Sequence, residues 1–370
     1  MLPAGDALAG VKRCSILLLA AAITASAFAL LRHNRADAAA RYSTSSRATA
    51  SSRVPTVTLN NGVSMPIVSL GIWQFSDVEV AATVPLAMSL GFNHIDASIF
   101  YGVPENDGPP NQPALGRALA NVPRDSFFLT TKIDPSFEDS DSYAVIATPF
   151  TPANAYFRTL EQAAHNLGDL GLGFVDLMLV HWSSAECETM REIWRAMETV
   201  QELGWARAVG VSNYCPATLD CILPMAKVVP AVNQVKYHLG MDGAGDPGGI
   251  KSYCGARGIT LQAYSPLGSG GKQHDSSLID GELVSSIGHA HGVSGAQVSL
   301  RWVLQHDVPL STKSTKASHL RAALEAAYAF ELDEAEMASL DAHVGAVPES
   351  YSFTCDCKAA QCFKTPSPFW

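Results

Sequence analysis

Four ionisable side chains in this chain each stand at the end of an apolar run. Asp96 and Tyr101 fall in GFNHIDASIFYG (residues 91–102), Lys132 closes FFLTTKI, and His181 follows VDLMLV. Singly, each has an ordinary structural reading as a solvated strand tip or a satisfied core residue. Together they could form a proton-donating relay. A phenol titrates near ~10, too high to release its proton freely at neutral pH. A neighbouring ammonium lowers that value, and a buried ammonium in turn needs a carboxylate partner. The expected arrangement has Asp96 holding Lys132 and Lys132 lowering the pKa of Tyr101. Tyr101 then protonates an oxygen on which charge develops, while His181 orients a carbonyl by hydrogen bonding.

Such residues meet only if the elements beneath them converge. From residue 54 the chain alternates short β-rich runs with helical patterns. Asn61-Gly62 sits between two alternating runs and predicts an N-terminal hairpin. Eight candidate strands follow, beginning near Ile67, His94, Phe127, Val175, Ala206, Pro230, Thr260 and Pro309. Helical periodicity separates them, as in TMREIWRAMETVQELG, where Ile193, Met197 and Val200 share a face and Gly204 closes the helix. No G-x-G-x-x-G follows an early strand, which argues against a doubly wound sheet. The pattern predicts an α/β fold, a (β/α)₈ TIM barrel with an N-terminal β-hairpin over residues 54–346, with chemistry at the C-terminal strand ends.

The segments GFNHIDASIFYG, FLTTKI, DLMLVHW, RAVGVSNY, VNQVKYH, AYSPLGS and TKS resemble the aldo-keto reductase family. The resemblance implies reduction of an aldehyde or ketone with a nicotinamide cofactor, and makes Asp96, Tyr101, Lys132 and His181 the catalytic tetrad. It places Ser212, Asn213 and Gln234 on the nicotinamide carboxamide and Tyr264 against its ring. Ser265, Leu267 and Ser269 would meet the pyrophosphate, and Lys313 and Ser314 the adenosine 2′-phosphate. Gly71 and Ile72 match the family's first-strand stretch, with Trp73 and Trp182 as pocket walls. The chain also departs from the family pattern. About eight residues look inserted after Tyr101, before Asn111-Gln112, and Ser183 replaces a proline. His319 stands where the family tends to place an arginine, so NADPH is expected with a modest preference and NADH remains usable.

Composition bounds the rest. The chain has 370 residues, 47% apolar and 16% charged, enough for a substantial core. Seven Lys/Arg against Asp6 and Asp37 give residues 1–53 a balance of +5; against a chain total of −10 this leaves the remainder at −15. An acidic body argues against nucleic-acid binding, which needs a basic face. The apolar stretch Cys14–Leu31 and the Arg/Ser-rich tract after it read as a targeting segment, resembling a two-part plastid address. A mitochondrial or secretory address, or a retained anchor through residues 14–31, is the alternative. Cys187, Cys215, Cys221 and Cys254 look scattered rather than a disulfide scaffold. The tail 347–370 carries Cys355, Cys357 and Cys362, three thiols without an evident fourth metal ligand. A monomer acting on a small carbonyl compound, with no metal, is the expectation. A regulatory subunit on a reductase fold and a membrane-tethered interaction protein are the competing classes.

Overall fold

The computed structural model describes residues 54–102, 110–135, 149–184, 186–241, 245–268 and 276–343. Residues 1–53, most of the insertion after Tyr101, Ser269 and the cysteine-containing tail lie outside them. Strands β1 (Thr56–Thr58) and β2 (Ser64–Pro66) pair antiparallel, Thr58 opposite Ser64. Asn61-Gly62 sits in the connection, which is longer than a two-residue turn. The Leu59 N–H donates to Val63 O and the Gly62 N–H to Leu59 O.

Eight parallel strands then close into a barrel. They are β3 (Val68–Gly71), β4 (His94–Asp96), β5 (Phe128–Ile133), β6 (Val175–Val180), β7 (Ala206–Ser212), β8 (Val232–Lys236), β9 (Thr260–Tyr264) and β10 (Leu310–Thr312). Between and after them come α1 (Asp77–Leu90), α2 (Gln112–Leu119), α3 (Ala155–Leu170), α4 (Cys187–Glu202), α5 (Pro216–Ile222) and α6 (Ile250–Gly255). The final helices are α7 (Ser277–Asp280), α8 (Glu282–His291), α9 (Gly295–Gln305), α10 (Ala317–Glu325) and α11 (Glu334–Asp341). The fold is the TIM barrel with an N-terminal hairpin that the strand–helix alternation predicts.

Period-2 alternation sorts the side chains. Phe128, Leu177, Leu179, Ala208 and Val232 pack with Leu59, Val63 and Met65 of the hairpin, which closes the bottom of the barrel. Leu129, Ile133, Met178, Val180, Val209 and Val211 join the larger core beneath the helices. Continued upward, the inner face of β5 ends in Lys132 and that of β6 runs through Leu177 and Leu179 to His181. A β-carbon at Gly210 would come within 2.8 Å of a Leu179 methyl and 2.5 Å of Val232 O, so the filled interior demands glycine there.

One bond differs from the scattered reading of the cysteines. Cys187, at the start of α4, is disulfide-bonded to Cys221 near the end of α5, with their Cα atoms 5.4 Å apart. Helices that follow the adjacent strands β6 and β7 pack side by side, which brings residues distant in sequence together. Cys254 is a buried free thiol. Among the described residues no helix is long and apolar enough to cross a membrane, and no His, Cys, Asp or Glu cluster is arranged to hold a metal ion.

Candidate active site

The mouth is organised around Lys132, whose side chain is fully buried. Its ammonium donates to Asp96 Oδ1 at 2.5 Å, to Ala97 O at 3.0 Å and to the Tyr101 phenol oxygen at 3.0 Å. All three protons of the ammonium are thereby used. The phenol oxygen accepts from Lys132, so the phenol's own proton is free to be donated elsewhere. Burial works to lower the Lys132 pKa, but Asp96 and Tyr101 outweigh it and hold the ammonium above its ordinary value. For Tyr101 burial is the largest influence and raises the pKa, Lys132 works against it, and the Asp96 charge adds to the rise, so the net direction is upward. The expectation of a lowered phenol pKa is therefore corrected. The ammonium acts in the expected direction, but burial together with the carboxylate charges carries the net shift upward. The consequence suits an acid: the phenol stays protonated through neutral pH.

Asp96 Oδ2 accepts from Gln234 Nε2 at 2.6 Å, and the same amide also donates to Gln262 Oε1 at 3.0 Å. Gln234, which the resemblance places on a carboxamide, here braces the carboxylate of the relay. Gln262 went unnoticed in the sequence, yet it is buried beside this cluster. A buried amide on the inner face of β9, two residues before Tyr264, was the available signal.

His181 Nδ1 lies 3.0 Å from Asp134 Oδ2 and 3.4 Å from Ser98 Oγ. Its ring meets that of Tyr101 edge-on, with centroids 5.7 Å apart. Asp134 and Ser98 were not singled out in the sequence. Asp134 sits two residues beyond Lys132 on the same face, which was its signal. A clip holds it: the Asp134 N–H donates to Gln162 Oε1 and Gln162 Nε2 donates back to Asp134 O. Asn111 performs a similar service nearby, donating to Ile72 O and Phe75 O while its N–H donates to Tyr101 O. It thus ties the Tyr101 loop to the stretch carrying Trp73.

On the far side of the mouth, Tyr264 donates its hydroxyl proton to Asn213 Oδ1 at 2.9 Å. Asn213 Nδ2 donates to His181 O and to Ser212 Oγ. The Ser212 hydroxyl is turned into the sheet, donating to Gln234 O at 2.7 Å. Asn213 (φ 59°), Ser265 (φ 50°) and Gln74 (φ 61°) adopt the left-handed backbone just past β7, β9 and β3. Non-glycine residues rarely sit there, and such positions gather at functional sites. Leu267 is half-buried after β9. Gly71 ends β3 where a β-carbon would stand 2.9 Å from Ser311 Oγ, and Ile72 follows it, fully buried.

After β10, Lys313 lies over the Trp73 ring at 5.1 Å and donates to Gln74 Oε1 at 3.0 Å. The Ser314 hydroxyl oxygen accepts from the Lys316 N–H, and His319 is exposed on α10. Trp73 is 37% exposed at the rim, and Trp182 lies beside His181, ring centroids 5.7 Å apart. The structure thus brings Asp96, Lys132, Tyr101 and Gln234 into direct contact, and links His181, Asn213, Ser212 and Tyr264 in a second network.

These groups stand at the C-terminal mouth of a parallel (β/α)₈ barrel, the face on which barrel enzymes carry their active sites, and comparison with known proteins gives the family. The family model described as aldo/keto reductase family matches residues 67–344. An aldo-keto reductase of Mycolicibacterium vanbaalenii is 33% identical, the match covering 79% of this chain and 93% of that protein. Morphine 6-dehydrogenase of Pseudomonas putida is 34% identical over 78% of this chain and 90% of its own length. D-galacturonate reductase of Fragaria ananassa is 31% identical over 77% and 90%. Among solved structures, an aldo-keto reductase from a Medee basin deep-sea metagenome library superposes with TM-score 0.67 at 27% identity, covering 81% of this chain and 98% of that one. The chain belongs to the aldo-keto reductase family of oxidoreductases.

Proposed function

We propose that this chain reduces a small aldehyde or ketone to the alcohol, with NADPH as the favoured electron donor and Tyr101 as the general acid. The observation that carries this reading is the Lys132 ammonium, held on Asp96 and donating to the Tyr101 oxygen across 3.0 Å. As negative charge develops on the substrate oxygen, Tyr101 transfers its proton. The ammonium stabilises the phenolate left behind, and Asp96, braced by Gln234, keeps that ammonium in place.

The residues on the far side of the mouth fit a nicotinamide dinucleotide. The Tyr264 ring is half-exposed and its hydroxyl is anchored to Asn213, which makes it a fixed flat platform beside an amide. Ser265 turns the backbone sharply after it, and Lys313 supplies a cation suited to a phosphate. When bound, the reduced cofactor supplies the hydride. Asn213 and Ser212 would orient its carboxamide, and Trp73 and Trp182 would wall the substrate.

For residues 1–53 we propose an organellar or secretory address, on the sequence pattern alone. The test of the activity is a carbonyl panel, including sugar acids and cyclic ketones, assayed with NADPH and NADH. Carbonyl-dependent oxidation of either cofactor is the expected result, and none on any substrate would overturn the reading.

A further inference from the structure

His181 is the group expected to donate a hydrogen bond to the substrate oxygen, and its surroundings restrict how it can do so. Its Nδ1 faces Asp134 Oδ2 at 3.0 Å. Both side chains are largely buried, 15% exposed for His181 and 5% for Asp134. A carboxylate can only accept. Nδ1 must therefore carry a proton, because a lone pair there would face a second lone pair. Ser98 Oγ, at 3.4 Å from the same nitrogen, is too distant to compete with this bond. In the neutral ring the single proton is then on Nδ1, and Nε2 is an acceptor. Only the imidazolium can donate through Nε2.

We infer that Asp134 is a positioning residue that fixes the tautomer of His181, so that carbonyl reduction uses the imidazolium and alcohol oxidation the neutral ring. The inference rests on the carbonyl-reductase reading of the site. In the reducing direction Nε2–H donates to the carbonyl oxygen beside Tyr101. In the oxidising direction the Nε2 lone pair accepts from the alcohol hydroxyl. Among the described residues, the ionisable groups facing the ring are Asp134 from the end of β5 and Tyr101 from the loop after β4, with Lys132 and Asp96 behind that phenol. Asn213 after β7, and Trp182 beside His181 after β6, are uncharged.

Asp134→Asn separates this role from a merely structural one. An amide can accept from Nδ1–H through its oxygen or donate to a bare Nδ1 through its nitrogen. The neutral ring in this variant is then free to become the Nε2–H tautomer and donate without a charge.

The experiment pairs ¹⁵N spectra of the imidazole nitrogens, assigned against His181→Asn, with pH profiles of kcat/KM in both directions. The wild-type ring should be Nδ1–H when neutral. Wild-type reduction should fall as pH rises through the ring's titration, approaching about tenfold per pH unit, as for loss of one essential proton. In Asp134→Asn the Nε2–H form should appear and that fall should flatten. A neutral wild-type ring protonated on Nε2, or an Asn variant with unchanged spectra and profile, would overturn the inference. If the wild type reduces no carbonyl on the panel, the functional reading fails, while the nitrogen shifts still decide the role of Asp134.

Discussion

Lys132 and Tyr101 are joined by a hydrogen bond in which the ammonium donates to the phenol oxygen across 3.0 Å. The direction of that bond sets the chemistry. An oxygen that accepts from a cation is a better leaving site for its own proton, and the resulting phenolate already has its counter-charge in place. The net upward direction of the Tyr101 pKa, led by burial, keeps the phenol protonated in the resting protein, which is what the proposed general acid requires.

Tyr101→Phe removes the proton and little else. Carbonyl turnover should fall by about 10²–10⁴-fold, the usual worth of a positioned general acid. Nicotinamide binding, followed by fluorescence titration, should stay within a few-fold. A Phe variant retaining more than about a tenth of wild-type kcat/KM would remove Tyr101 from that role.

Lys132→Met should cost stability as well as activity. Asp96 would be left as a buried carboxylate without its cation, a loss of roughly 3–5 kcal/mol in comparable pairs. Adding Asp96→Asn should recover part of the stability and none of the activity, measured by urea denaturation and turnover. Strictly additive losses would mean that the two side chains do not depend on each other.

His94 predicts an acid limit to the fold. It is fully buried, with Nδ1 3.0 Å from Pro66 O and Nε2 2.9 Å from Thr130 Oγ1, and burial pushes its pKa from 6.5 down to about 4. Below 6.5 the unfolded chain takes up a proton that the folded chain refuses until about 4. Stability is therefore complete above 6.5 and is lost as pH falls through that window, by about 3 kcal/mol. Denaturation at pH 7 and pH 4 measures it. His94→Asn, though less stable overall, should show a correspondingly smaller pH dependence.

Lys313 should govern cofactor choice. A charge-assisted contact to a 2′-phosphate is worth about 1.5–3 kcal/mol, or a preference of roughly 10- to 150-fold for NADPH over NADH. In this structure the ammonium lies over Trp73 and donates to Gln74. Lys313→Ala should bring the ratio of kcat/KM values for the two cofactors close to one. An unchanged ratio would assign phosphate recognition to other residues.

The N-terminal segment should be absent from the mature protein. Sequencing the first residues of the chain isolated from its native source decides this. A start before Leu31 would mean that the apolar stretch is retained.

The sequence by itself determined the barrel and the four ionisable groups at its mouth. Strand alternation is a local property, and a charged or phenolic residue ending an apolar run is visible without knowing its neighbours. Asp96, Lys132 and His181 each follow an inner-face run of this kind. What the tertiary structure alone decided lies between elements. Gln234 braces Asp96 across 138 positions of chain, Asp134 meets His181 across 47, and Cys187 pairs with Cys221 across 34. No spacing rule predicts such contacts, because barrel closure and helix packing set them. The sign of the Tyr101 shift was also hidden. The charge of Lys132 is legible in sequence, but the desolvation of the phenol and the nearness of the Asp96 charge arise only in the closed mouth, and together they carry the net shift upward against the ammonium.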